Sequence, residues 1–162
     1  MGGIGYRLCV AGMCVVALGA PAETSWGAAA PGHAHAHPTE GPHHGPLIEL
    51  GKEEYHAELV HDHAAESVTV HILDAAATAA VSTAAKQATL NLVVAGKPRQ
   101  FRLDAVAQPG DPVGTASAFV GKGAELCRAI DARGLKGRLN VEIAGKTYSG
   151  GIGPRSHAHV HD

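Results

Sequence analysis

The sequence predicts a small, mostly β domain: an antiparallel β-sandwich with one short helix and disordered, histidine-rich termini. Three observations carry this expectation. Runs of about four to eight residues alternate apolar and polar side chains, the period of a half-buried strand. Glycine and proline punctuate the chain between these runs. Only one stretch, Gly123 to Arg133, repeats apolar residues at helical spacing. About seven to nine short strands in this pattern read as a sandwich, with an open barrel as the alternative. No period of roughly 20–50 residues recurs, which excludes a solenoid.

Order is expected from Leu47 onward, in a domain spanning residues 46–152. Leu47 to Leu50 is a short strand closed by Gly51. Tyr55 to Asp62 (YHAELVHD) and Ser67 to Asp74 (SVTVHILD) both alternate, and His63 to Glu66 is a hairpin loop between them. Pairing Asp62 with Ser67 sets Leu59 opposite Val70 and Ala57 opposite Ile72. A one-residue slip would turn one apolar set to the wrong face, so this register is favoured. It also sets Glu58 opposite His71 on the outer face, with His56 diagonal to His71. Directly opposed residues lie about 4.5–5.5 Å apart at Cβ, close enough for a hydrogen bond or shared ligation.

Ala75 to Lys86, rich in alanine with no stripe of larger apolar residues, is an irregular connection with a short strand near Val81. Ala88 to Ala95 and Arg99 to Val106 form a second hairpin over Gly96-Lys97-Pro98. Gln108 to Gly114 is a loop by its proline and glycine content. Thr115 to Val120 is a further strand. In the helical segment Ala124, Cys127 and Ile130 share a face, and Gly134 stands at the expected C-cap. Gly137 to Ala144 and Lys146 to Gly151 close the domain as a hairpin around Gly145.

The flanks read differently. Arg7 and the apolar run Leu8 to Ala20 have the form of a secretory signal, with cleavage expected after Ala22, so residues 1–22 are a signal peptide. The run is shorter than the ~20 residues of a membrane-spanning helix, so no stable span is expected after cleavage. The expected location is periplasmic or secreted. Residues 23–45 are a low-complexity linker of Ala, Gly, Pro and His, and residues 153–162 are a tail. Cleavage removes Cys9, Cys14, Met1 and Met13, leaving Cys127 without a disulfide partner. On the apolar face of its helix, Cys127 reads as core filler.

A net charge of −2 with 13 scattered Lys and Arg residues offers no basic stripe for nucleic acid. Gly-x-Ser-x-Gly, a phosphate-cradling glycine loop and His-Glu-x-x-His are all missing, so no enzyme is expected and no catalytic residue is named.

Histidine makes up 12 of the 162 residues. His33, His35 and His37 form one alternating tract, followed by His43 and His44; His157, His159 and His161 form another, with Asp162 beside them. Residues i and i+2 of an extended chain point to one side, so each His-x-His offers two imidazoles to one ion. A secondary group on the domain comprises His56, Glu58, His61, His63 and His71. The tight Cys/His spacing of a structural zinc site is absent, which favours weak binding by the tails. With no thioether and one thiol left, imidazole and carboxylate ligands suit divalent Zn, Cu(II), Ni or Co, and not Cu(I).

The run Gly41 to Gly51 (GPHHGPLIELG), then Tyr55-His56-Ala57-Glu58-Leu59, and the closing Gly145 to Gly150 (GKTYSG) before a histidine tail, resemble a small exported bacterial β domain. That domain occurs in uncharacterised His-rich periplasmic proteins and at the N-terminus of heavy-metal efflux periplasmic adaptor proteins. The resemblance covers roughly residues 41–152 in outline. The chain has no room for an adaptor's coiled-coil hairpin, lipoyl-like module and barrel. The resemblance implies a periplasmic domain linked to metal handling, with a component of a metal efflux system as partner. The function expected is metal binding or buffering through the His-x-His tails. The alternative is a non-catalytic cell-envelope interaction module whose tails are solvated linkers.

Overall fold

In a computed structural model of the chain, the described residues run from Pro38 to Gly153. The stretch expected to be a signal peptide, most of the expected linker, and the candidate ligands His33, His35, His37, His157, His159, His161 and Asp162 lie outside them.

Eight strands and one helix follow one another: β1 Leu47–Leu50, β2 Tyr55–Asp62, β3 Ser67–Leu73, β4 Gln87–Val94, β5 Lys97–Val106, β6 Ala118–Lys122, α1 Ala124–Ile130, β7 Gly137–Ile143 and β8 Lys146–Ile152. All pairings are antiparallel, in the order β1-β2-β3-β6-β5-β4-β7-β8. The expected mostly β, antiparallel class with one short helix holds among the described residues, and the eight strands form one nearly closed sheet. The ends meet where the Gly51 N–H reaches the Ser149 carbonyl at 3.5 Å. Gly150 makes this approach feasible, since a Cβ there would fall 2.4 Å from Ile48 Cγ2 and 2.5 Å from the Glu49 carbonyl oxygen.

The β2–β3 register is the expected one, with Ala57 facing Ile72, Glu58 facing His71, Leu59 facing Val70 and Asp62 facing Ser67. The apolar set of each strand turns inward. Val70, Ile72, Leu90, Leu103, Phe119 and Leu139 are fully buried, and they join Leu126, Cys127 and Ala129 of α1 in one core. An eight-stranded sheet closed in this way leaves an interior about wide enough for side chains to fill. The helix lies against β6 at Gly121, where a Cβ would fall 2.6 Å from Leu126 Cδ2.

Local differences from expectation have local causes. The β4–β5 connection is the two residues Ala95 and Gly96, both at positive φ (49° and 76°), so Lys97 and Pro98 belong to the strand. Paired positive φ values give a tight turn whose twist matches the strands it joins. Pro98 is tolerated there because β6 pairs only with Asp104 to Val106. The helix spans Ala124 to Ile130, shorter than expected, and Asp131 ends it with its N–H on the Cys127 carbonyl. Gly134, at φ 71°, shapes the following turn and is not the cap. The connection after β3 is irregular, with isolated bridges Leu73–Ala80 and Thr83–Ala116.

Candidate metal site

Three elements meet at one corner of the sheet. The first is the tip of the β2–β3 hairpin, where Asp62 Oδ1 accepts the Ala65 N–H at 2.9 Å and closes the loop. The second is α1, followed at its C-terminal end by Asp131. The Gly123 N–H donates to the Glu66 carbonyl at 3.0 Å, tying the hairpin loop to the start of the helix. The third is the turn at residues 40–46, assigned by composition mostly to the linker. Here the Gly41 N–H donates to the Gly45 carbonyl at 2.9 Å, Glu40 bridges to Pro46, and the Leu59 N–H donates to the Pro46 carbonyl. We term this turn the strap. The three elements enclose a cleft of about 390 Å³ lined by His43, His44, His61, His63, Ile130 and Asp131, among others.

His61, His63 and Asp131 each have a ligand-capable atom within 4.8 Å of the other two. His61 Nδ1 lies 3.0 Å from Asp131 Oδ1, His63 Nδ1 lies 3.8 Å from Oδ2, and the two rings are 4.0 Å apart. The His61 side chain is only 10 % exposed, and its Nε2 is buried without a hydrogen-bond partner. A buried polar atom left so calls for a partner such as water or an ion. Two imidazoles and a carboxylate are the donor set that borderline divalent ions prefer.

On the other face of β2 from Ala57 and Leu59, the strap folds over Glu58. The Glu58 side chain is 0 % exposed. Its Oε1 accepts the N–H groups of His43 (2.7 Å) and Gly45 (2.8 Å), and its Oε2 accepts the His43 ring Nδ1–H (2.7 Å). Burying a carboxylate is costly unless it is hydrogen-bonded, and here both oxygens are engaged. Burial pushes the carboxyl up, but the Gly45 and His43 donors outweigh it and hold Glu58 below its usual range. The His43 ring stacks on His71 at 3.9 Å and 12°. Burial, and then the neighbouring His43, push the His71 imidazole down. The strap can come this close because a Cβ at Gly41 would strike the Glu58 side chain at 2.4 Å.

His61 and His63 therefore come together, as their spacing at a hairpin tip suggested. Glu58 and His71 face each other as expected, yet Glu58 is sealed beneath the strap and turned toward His43. His44 lies on the strap at φ 63° and lines the same cleft. His56 stands apart, buried, with Nδ1 3.2 Å from the Asp74 carbonyl. Sequence reasoning missed Asp131, which lies 70 positions from His61 and carries no spacing signal. Among the described residues no helix is long and apolar enough to cross a membrane. No family model, curated protein or solved structure matches the chain.

Proposed function

We propose that this is an exported metal-capture protein that binds a divalent transition ion of the Zn, Cu(II), Ni or Co class. The observation that carries the reading is the convergence of His61, His63 and Asp131 at the mouth of one cleft. The donor set is nitrogen and oxygen only, since Cys127 is buried in the core. The histidine tails would supply further, weaker binding. The resemblance to the N-terminal domain of heavy-metal efflux adaptors points the same way and suggests delivery to an efflux component.

Calorimetric titration of the full chain with Zn(II), Ni(II) and Cu(II) tests this. Replacing His61 and His63 together by alanine is expected to remove the tightest binding phase. Replacing the six tail histidines is expected to remove only weaker equivalents. If neither change alters binding, the reading fails and the alternative of a cell-envelope interaction module stands in its place.

A further inference from the structure

A second cleft opens at one end of the nearly closed sheet, where β1 begins, β8 ends and the connection from α1 to β7 crosses. It adjoins the histidine cleft through Pro46, Leu59 and Ile130, but its chemistry is different. Its walls are built from Leu47, Ile48, Leu59, Ile130, Leu135 and Ile152, and it encloses about 400 Å³. No acidic, basic or histidine side chain lines it. Small-molecule sites are mostly apolar hollows of roughly 300–1,000 Å³, and the mouths of closed sheets are among their usual places.

The cleft forms because the seam between β1 and β8 parts at this end. The Gly51 N–H meets the Ser149 carbonyl at 3.5 Å, so the backbone groups of Ser149 face β1. In the regular antiparallel pairing of β8 with β7, alternate residues face opposite sides, so the N–H and carbonyl of Gly151 also face away from β7. Across the gap, the Leu47 N–H donates to the Thr39 carbonyl in the strap at 3.2 Å and is turned to that use. Gly151 lines the cleft, and a Cβ there would meet nothing within 4 Å. Its backbone therefore offers a donor and an acceptor at the rim of an apolar hollow.

Two kinds of occupant suit this arrangement poorly. A stable protein interface takes about 800 Å² from each partner. Val93, Val106 and Val113, the large hydrophobics that are exposed, do not line the cleft, so its apolar surface is gathered in the hollow and does not spread as a patch. An ionised ligand would enter without a counter-charge, which is costly.

We propose that this cleft binds a small, uncharged, largely apolar organic molecule with one hydroxyl or carbonyl group. The polar group bonds the Gly151 backbone, and the apolar body lies against Leu47, Leu59, Ile130 and Ile152. The proposal does not depend on the metal reading of the neighbouring cleft.

The test uses the full chain with a chelator present, so that no ion contributes. The probes are octanol, octanoate and octylammonium near neutral pH, one apolar chain with three head groups. ¹H–¹⁵N spectra are read at the amides of Gly134, Gly151 and Gly153, which line the cleft, with Gly96 and Gly110 as controls outside it. Octanol is expected to shift the first three saturably, at a concentration about tenfold or more below that needed by either ion. Ala132→Phe, at an exposed position on the wall, is expected to fill the hollow and weaken octanol binding about tenfold or more. Ala64→Phe, at the exposed tip of the β2–β3 hairpin, is expected to bind as the parent does.

If the three amides do not move, or move alike with all three probes, the proposal is overturned. Undiminished octanol binding by Ala132→Phe overturns it too. Should that variant fail to fold, the shifts of the unsubstituted chain decide. Shifts of the same amides on concentrating the protein alone, with a dimer in sedimentation, would give the cleft to a second copy and also overturn it.

Discussion

Asp131 Oδ1 lies 3.0 Å from Nδ1 of His61, joining the residue that ends the only helix among the described residues to the tip of the first long hairpin. Both residues sit on backbone-bonded elements: the Asp131 N–H bonds the Cys127 carbonyl, and His61 faces Val68 in the β2–β3 pairing. Because the Asp131 side chain is 48 % exposed, its role in stability should be small. Asp131→Asn is expected to leave the urea midpoint of the metal-free protein within about 0.5 kcal/mol of the parent. It should weaken Zn(II) binding about tenfold or more, read by equilibrium dialysis near neutral pH. Unchanged dialysis curves would remove Asp131 from the site.

The strap makes a second prediction. A chain shortened to begin at Pro38 should unfold at the same denaturant concentration as the parent. One that begins at Pro46 loses the His43 and Gly45 donors to Glu58 and should be less stable by roughly 1–3 kcal/mol, the cost of stranding a buried polar group. Equal midpoints for the two would mean that Glu58 is satisfied without the strap.

Much of this was legible in the sequence. The β2–β3 register followed from Leu59 meeting Val70 and Ala57 meeting Ile72, because a period-two pattern has only one alignment that keeps both apolar sets inward. The same alternation placed Glu58 and His71 on the outer face. It gave no sign that Glu58 would be buried, because the covering strap is Gly, Pro and His with no hydrophobic period. Asp131 was hidden for a different reason: its partners come from a hairpin far away in sequence. Closure of the sheet was hidden in the same way, since β1 and β8 meet only through a glycine whose neighbours cannot be read locally.

Acid stability should depend on Asp111. Partial burial raises its carboxyl, but the Gln108 N–H, the Ser82 hydroxyl, and the N–H and hydroxyl of Ser117 outweigh this and bring it from 3.8 down to about 2. A carboxyl depressed by folding adds stability above its unfolded value, and that stability is lost as pH falls from near 3.8 toward 2. The full contribution is about 2 kcal/mol by linkage. Asp111→Asn should therefore be destabilising at neutral pH and close to neutral at pH 2. Urea titrations of both proteins at several pH values between these limits check it, and parallel curves would refute the assignment.

Gly150→Ala should strain the junction of β1 and β8, because the new Cβ would fall well inside van der Waals contact with Ile48 and the Glu49 carbonyl. A cost of roughly 1–3 kcal/mol is expected, typical of overpacking. Gly151→Ala, where a Cβ meets nothing within 4 Å, is the control and should be close to silent. Thermal melts of the two side by side decide the matter; similar losses would show that the junction yields freely.

Cys127 should resist thiol reagents in the native protein. Burial, followed by the charges of Glu66 and Asp131, pushes its thiol up, away from the reactive thiolate. Alkylation followed by peptide mass spectrometry should find Cys127 unmodified in buffer and fully modified in denaturant. Rapid native labelling would place it outside the core.

The neighbouring positions of β1 and β8 also make the order of the chain around the sheet nearly circular. Pro46 and Gly153 line the same apolar cleft, so the start of β1 and the end of β8 lie at one corner. A Gly/Ser tether from Gly153 to the start of the strap at Pro38 could join the chain into a circle, and the tight turn at Ala95–Gly96 could be opened in exchange, with the β1–β8 seam becoming internal. Such a circular permutant would keep every strand beside its present neighbours. In this domain the starting point of the polypeptide and the architecture it builds are separable properties.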